Sequence, residues 1–171
     1  VVATALALST SLWSVGLGLA LPPLLFYFIY VEDRRNVSSE DRINRPRRTR
    51  LVKQYRRELL VTEVLALAGY ELLLAVLVWS SPVSPIPWLL LGQLPLGILF
   101  AYESLKQYPT FDSIAVGTTW AFVIVFSVLL STARTITVDV GTVFVAWFLV
   151  VFAGVESRNL QDVEGDEKTD K

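Results

Sequence analysis

The chain has 171 residues, 53% of them hydrophobic, with a mean hydropathy of +0.53 and a net charge of −1. It contains no Cys, no His and no Met. Disulfides, thiolate nucleophiles, the usual zinc sites and histidine general bases are thereby excluded, and the apolar content is higher than an ordinary soluble domain carries.

Taken in chain order, the apolar stretches are roughly 20 residues long, enough to cross a bilayer as helices. The expected fold is therefore all-α, a polytopic transmembrane helical bundle. The first stretch, 1–18, is rich in small residues and ends near Gly16 and Gly18. Pro22-Pro23 resets the chain and starts a second segment, 22–37, because proline is tolerated in the first turn of a helix. A single bent helix over 4–33 is the alternative. A basic loop, 38–57, leads to a third segment at 59–79. Ser80-Ser-Pro-Val-Ser-Pro-Ile-Pro87 breaks the chain, flanked by Trp79 and Trp88, a residue type that favours the water–lipid interface. The fourth segment, 88–105, holds Gln93 and Pro95 and is expected to kink, with its freed backbone groups satisfied inside the bundle. A turn at 108–112 precedes the fifth segment, 113–131. A second short loop, 132–139, precedes the sixth, 140–156, and a polar tail follows. The chain opens inside an apolar run without Met and shows no basic n-region of a signal peptide, so it reads as a piece of a longer protein, one transmembrane domain over 1–171.

Charge fixes an expected topology. With 32–58 in the cytoplasm, fourteen Lys and Arg fall inside and only Arg134 falls outside, as the positive-inside rule demands. The expected location is an integral position in the cell membrane. Four segments separate the two acid-bearing stretches, so parity puts both on the same, cytoplasmic face.

Those two stretches carry the chemistry. In the tail, Asn159, Asp162 and Asp166 are spaced i, i+3, i+7 and would share one face of a helix, beside Gly165. Carboxylates one turn apart suit a hard cation such as Mg²⁺, whose remaining positions accept water or phosphate oxygens; a solvated acidic helix end has the same spacing. In the earlier stretch, Asp33 and Asp41 are the main carboxylates, with Glu32, Asn36 and Glu40 nearby. Arg45, Arg47, Arg48 and Arg50 follow, and guanidinium forks suit phosphate oxygens, though they also serve as a topology signal and attract anionic lipid. Glu71 falls mid-membrane, where an acid usually faces a cavity or a partner. Tyr102 lies at the inner end of its segment, as a cavity residue or an interfacial anchor.

Glu40-Asp-Arg-Ile-Asn-Arg-Pro46 resembles the end of the first aspartate-rich motif of the UbiA superfamily of intramembrane prenyltransferases. Arg158-Asn-Leu-Gln-Asp-Val-Glu-Gly-Asp166 resembles the second, and Ala101-Tyr-Glu-Ser-Leu-Lys-Gln-Tyr-Pro109 resembles the stretch between them. The resemblance implies a bundle of about nine helices, of which this chain covers about six, around a central cavity. It implies Mg²⁺ held by aspartates, a prenyl diphosphate held by Mg²⁺, and transfer of the isoprenyl group to a lipid-soluble acceptor. A non-catalytic homologue that binds prenyl lipid is the alternative, and a transporter built around Glu71 is a third class. Residue by residue, the resemblance makes Asp162, Asp166 and Asp41 catalytic. It makes Lys106 and Arg45 diphosphate-binding, and Asp33, Asn36, Asp41, Asn159, Asp162 and Asp166 metal ligands. Glu71 and Tyr102 are the expected cavity residues. Arg34 and Val37 stand where the first two aspartates belong, so the first motif is degenerate. No nucleic-acid partner is expected.

Overall fold

The computed structural model describes residues 12–36, 46–81, 84–105, 110–132 and 136–167, with the side chains of 12–13, 103, 105 and 158–167 outside that description. The described residues form seven helices and no strand: α1 (Leu12–Arg35), α2 (Pro46–Gln54), α3 (Arg56–Ser80), α4 (Pro85–Gly92), α5 (Leu94–Leu105), α6 (Phe111–Thr132) and α7 (Val138–Glu167). The fold is all-α. Among the described residues, five helical stretches are long and apolar enough to cross a membrane: 14–35, 56–80, 85–102, 111–132 and 138–157. The protein is thus an integral membrane protein by the length and composition of its helices.

The expected break at Pro22-Pro23 is absent. Residues 12–35 form one helix with both prolines inside it, close to the single-helix alternative. The two prolines cannot donate to the carbonyls of Gly18 and Leu19, but packing holds both halves in line. Val15, Gly18, Leu21, Leu25, Phe28 and Val31 are buried at steps of three and four, an uninterrupted stripe that passes the prolines. At Gly18 this stripe lies close against α6: a Cβ there would collide with the Ser131 hydroxyl. Residues 1–11, the rest of the expected first segment, lie outside the described residues.

The central helix is α6. Its spanning window is 61% buried, against 0% for α7. Ser113, Ala115, Gly117, Thr119 and Ala121 are all buried, and such small residues let neighbouring backbones approach. A Cβ on Gly117 would stand 3.1 Å from the Phe148 ring of α7. Farther along α6, the Ser127, Ser131 and Thr132 hydroxyls donate to the carbonyls of Val123, Ser127 and Val128 at 2.6, 2.6 and 2.8 Å. Each polar side chain is thereby satisfied within its own helix, as an apolar surrounding requires. The apolar core lies between α1, α3 and α6 and includes Leu25, Phe28, Tyr70, Leu74, Leu77, Val123 and Phe126. By contrast, α7 packs on α6 and leaves Val143, Val145, Leu149 and Val150 exposed.

Two further expectations are corrected. The basic stretch at 38–57 is not all loop: α2 occupies 46–54, with Pro46 at its first position and strong helix formers after it. The fourth segment is not one kinked helix but two, α4 and α5, parted at Gln93. Pro95, buried, lacks the N–H that would continue the ladder across the join. At that join the Tyr70 hydroxyl donates to the Gly92 carbonyl at 2.6 Å. Gln93 Nε2 donates to Glu71 Oε2 at 3.0 Å. The Gly92 carbonyl is thus met from α3, inside the bundle, while the Leu91 carbonyl that Pro95 leaves free accepts from the Gln93 backbone N–H.

Candidate functional site

A cleft of about 420 Å³ opens between α1, α5 and α6. Its depth is apolar: Phe26 and Ile29 of α1, Pro95, Ile98 and Leu99 of α5, and Ala115, Val116 and Trp120 of α6. Phe26 and Trp120 stack at its inner end, with ring centroids 3.8 Å apart and planes 17° apart. Its mouth is polar: Asp33 and Arg34 close α1, Tyr102 nears the end of α5, and Asp112 opens α6. From Asp112 to Trp120 the helical rise gives a depth of about 12 Å.

Local sequence explains the mouth. The Tyr102 hydroxyl donates to Asp112 Oδ1 at 2.6 Å and ties the end of α5 to the start of α6. Asp112 lies in the first turn of α6, where the helix dipole favours an anion. Thr110, two residues before it, has φ 64°, in the left-handed region. Arg34 lies over the Tyr30 ring, 5.0 Å from its centroid, and its Nε is 3.6 Å from Asp33 Oδ2. That Nε is buried and has no hydrogen-bond partner among the described residues.

The neighbouring face of α1 is closed rather than open. Arg35 bridges Glu32 of its own helix and Glu63 of α3, with Arg35 Nε 2.7 Å from Glu63 Oε2. Asn36 Nδ2 donates to Glu32 Oε1 at 3.0 Å. Glu63 is only 5% exposed, so its charge is matched where water cannot reach it. At the other side of the mouth, Ser113, next to Asp112, donates to the Glu156 carboxylate of α7. The end of α1, the start of α3, the end of α5, the start of α6 and Glu156 therefore share one end of the bundle.

The expected site residues divide accordingly. Tyr102 and Asp33 line the cleft. Asn36 is exposed and turned to Glu32 instead. Glu71 is not part of this lining and pairs with Gln93 at the α4–α5 join. Asp41, Arg45 and Lys106 lie outside the described residues. The helical course of α7 runs through Asn159, Asp162 and Asp166, whose side chains lie outside the description. Among the described residues no three carboxylates converge as a metal site. Of the expected Mg²⁺ ligands with described side chains, Asp33 suits a hard cation at the mouth, being an exposed carboxylate, whereas Asn36 is not in the cleft lining and donates its Nδ2–H to Glu32 on the neighbouring face.

Sequence reasoning missed Asp112, Arg34 as a cleft residue, the Phe26–Trp120 stack and the Arg35–Glu63 pair. A signal existed for the first: an acid in the opening turn of an apolar helix, facing the end of the helix before it. For the stack there was none, because which faces of α1 and α6 meet is a tertiary fact.

Searches of protein-family models, of curated proteins and of solved structures found no match to this chain.

Proposed function

We propose that this chain carries out Mg²⁺-dependent transfer of an isoprenyl group from a prenyl diphosphate to a lipid-soluble acceptor within the membrane, as a member of the UbiA superfamily. The observation that carries the reading is the cleft itself. It is an apolar slot about 12 Å deep with carboxylates, a guanidinium and two tyrosines around one polar mouth. That is the shape and polarity of an amphiphile with an anionic head and an isoprenoid tail.

In this reading the tail lies against Phe26, Ile98 and Trp120, away from water. The head sits at the mouth, where Arg34 offers an unspent N–H to a phosphate oxygen. Asp33, with Asp41 and the α7 residues Asn159, Asp162 and Asp166, would hold Mg²⁺; Lys106 and Arg45 would add cations around the diphosphate. Bound there, Mg²⁺ supplies positive charge to the leaving diphosphate. The carbon–oxygen bond to the allylic carbon breaks, and diphosphate leaves with the electron pair. The acceptor forms the new bond to that carbon and loses a proton. The apolar walls exclude water that would otherwise capture the cation. In this reading both acidic motifs face the cytoplasm, which the basic residues around 32–58 support through the positive-inside rule; the shared end of the bundle that holds Asp33 and Glu156 is consistent with one common face.

A specific observation favours a second reading, a non-catalytic homologue that binds prenyl lipid. Arg34 occupies an expected aspartate position and Asn36 is held by Glu32. The test is transfer from labelled geranyl, farnesyl and geranylgeranyl diphosphates to a broad panel of lipid-soluble acceptors, using purified protein in nanodiscs with Mg²⁺. Product formation abolished by chelator supports the enzyme. Activity that arises only after R34D and V37D are introduced together assigns the second reading. No transfer and no binding of any prenyl diphosphate overturns both.

A further inference from the structure

The short helix α2 is a charged surface that the proposed chemistry does not use. Residues 46–57 carry Arg47, Arg48, Arg50, Lys53, Arg56 and Arg57 and no acid. The helix divides into three sides. Thr49 and Val52 are buried against protein. Arg47, Arg50 and Lys53, spaced three apart, share an exposed side, with Arg57 following four residues on. Leu51 and Tyr55, one turn apart, are exposed on an adjoining side at 55% and 47%. Among the described residues no carboxylate lies within ion-pair distance of Arg47, Arg50 or Lys53.

Position supplies the partner. A single residue, Tyr55, parts α2 from α3, a span that begins at Arg56, so α2 sits at the water–lipid boundary. Glu63 near the start of α3 pairs with Arg35 at the end of α1, which places α2 at the end of the bundle where the cleft opens. A basic helix with exposed apolar residues beside its cations matches a leaflet of anionic headgroups over acyl chains.

We propose that α2 is a docking surface for anionic phospholipid, and that it fixes the cleft mouth against the anionic leaflet. Leu51 and Tyr55 enter the headgroup–acyl boundary, and Arg47, Arg50, Lys53 and Arg57 contact phosphate. Arginine here binds lipid rather than the diphosphate of a substrate, so the inference stands apart from the transfer reaction.

The test is native mass spectrometry of the full chain released from micelles that hold phosphatidylglycerol and phosphatidylcholine, together with thermal melting as the anionic fraction is raised. Wild-type protein is expected to retain phosphatidylglycerol selectively, to melt higher as its fraction increases, and to lose both effects in high salt. R47Q/R50Q/K53Q is expected to lower the preference about a hundredfold, taking about fivefold per cation removed near an anionic surface. R47K/R50K is expected to keep most of it, which separates charge from helix structure. Equal retention of the two lipids by wild type overturns the proposal, as does an unchanged preference in the triple variant. Displacement of phosphatidylglycerol by millimolar inorganic diphosphate would also overturn it, by showing a site for free phosphate instead. Should the triple variant fail to fold, the salt titration and the lipid preference of wild type decide alone.

Discussion

Two acid-bearing clusters sit side by side at one end of the bundle, and they are built to opposite ends. Glu32, Arg35 and Glu63 form a closed set in which each charge meets another, with Glu63 buried. Asp33, Arg34, Tyr102 and Asp112 form an open set around a cleft, with Asp33 exposed and the Arg34 Nε unbonded. Four consecutive residues of a single helix, 32–35, divide between the two sets, the outer pair closed and the inner pair open. The 100° step of α1 turns Glu32 and Arg35 toward α3 and Asp33 and Arg34 toward α5 and α6. A run of charges that reads as one motif is thus two devices, one joining helices and one lining the cleft mouth.

Breaking the closed set should have the largest effect on stability. Arg35→Met leaves Glu63 buried without its partner, and the expected loss is about 3 kcal/mol, read by unfolding in a mixed-detergent titration. A double-mutant cycle with Glu63→Gln should recover much of that loss, because the two changes remove one shared interaction. If Arg35→Met costs nothing, the closed set is not structural and the comparison fails.

The open set should respond in ligand binding instead. Trp120→Ala removes one ring of the Phe26–Trp120 stack from the cleft wall. It is expected to weaken binding of a prenyl diphosphate about tenfold, measured by displacement of a labelled analogue, with prenol affected to the same degree. Tyr102→Phe removes the hydrogen bond to Asp112 and should cost about 1 kcal/mol of stability, with faster amide exchange in the first turn of α6. The smallest change in stability belongs to Asp33→Asn. Its carboxylate is 59% exposed at the side chain, so the expected shift lies within about 0.5 kcal/mol. The same variant should reduce the dependence of prenyl diphosphate binding on Mg²⁺, which no change in the closed set should do.

Much of the fold was legible in the sequence because membrane crossing is a question of length and hydropathy. The spans at 56–80, 111–132 and 138–157 lie within a few residues of the expected segments. Pro22-Pro23 misled, because a proline pair signals a break by its missing donors while the packing of Val15 through Val31 keeps the helix whole. Gln93 and Pro95 were read correctly as a disturbed stretch, and the partner that satisfies it, Tyr70, was not legible since it comes from another helix. At the site, Tyr102 and Asp33 could be named from their places at segment ends. Glu63 is the most buried charge described, yet nothing in its local sequence marks it. Its importance depends on Arg35, 28 residues away, and local pattern does not encode that pairing.

The central claim is that the cleft between α1, α5 and α6 receives an isoprenoid tail with its anionic head at the Asp33–Arg34 mouth. Photocrosslinking with a diazirine-bearing prenyl diphosphate, followed by peptide mapping, tests it most directly. The account predicts adducts on Phe26, Ile98 and Trp120 that unlabelled farnesyl diphosphate competes away. Adducts confined to the exposed face of α7, around Val143 and Val150, and untouched by competitor would contradict it.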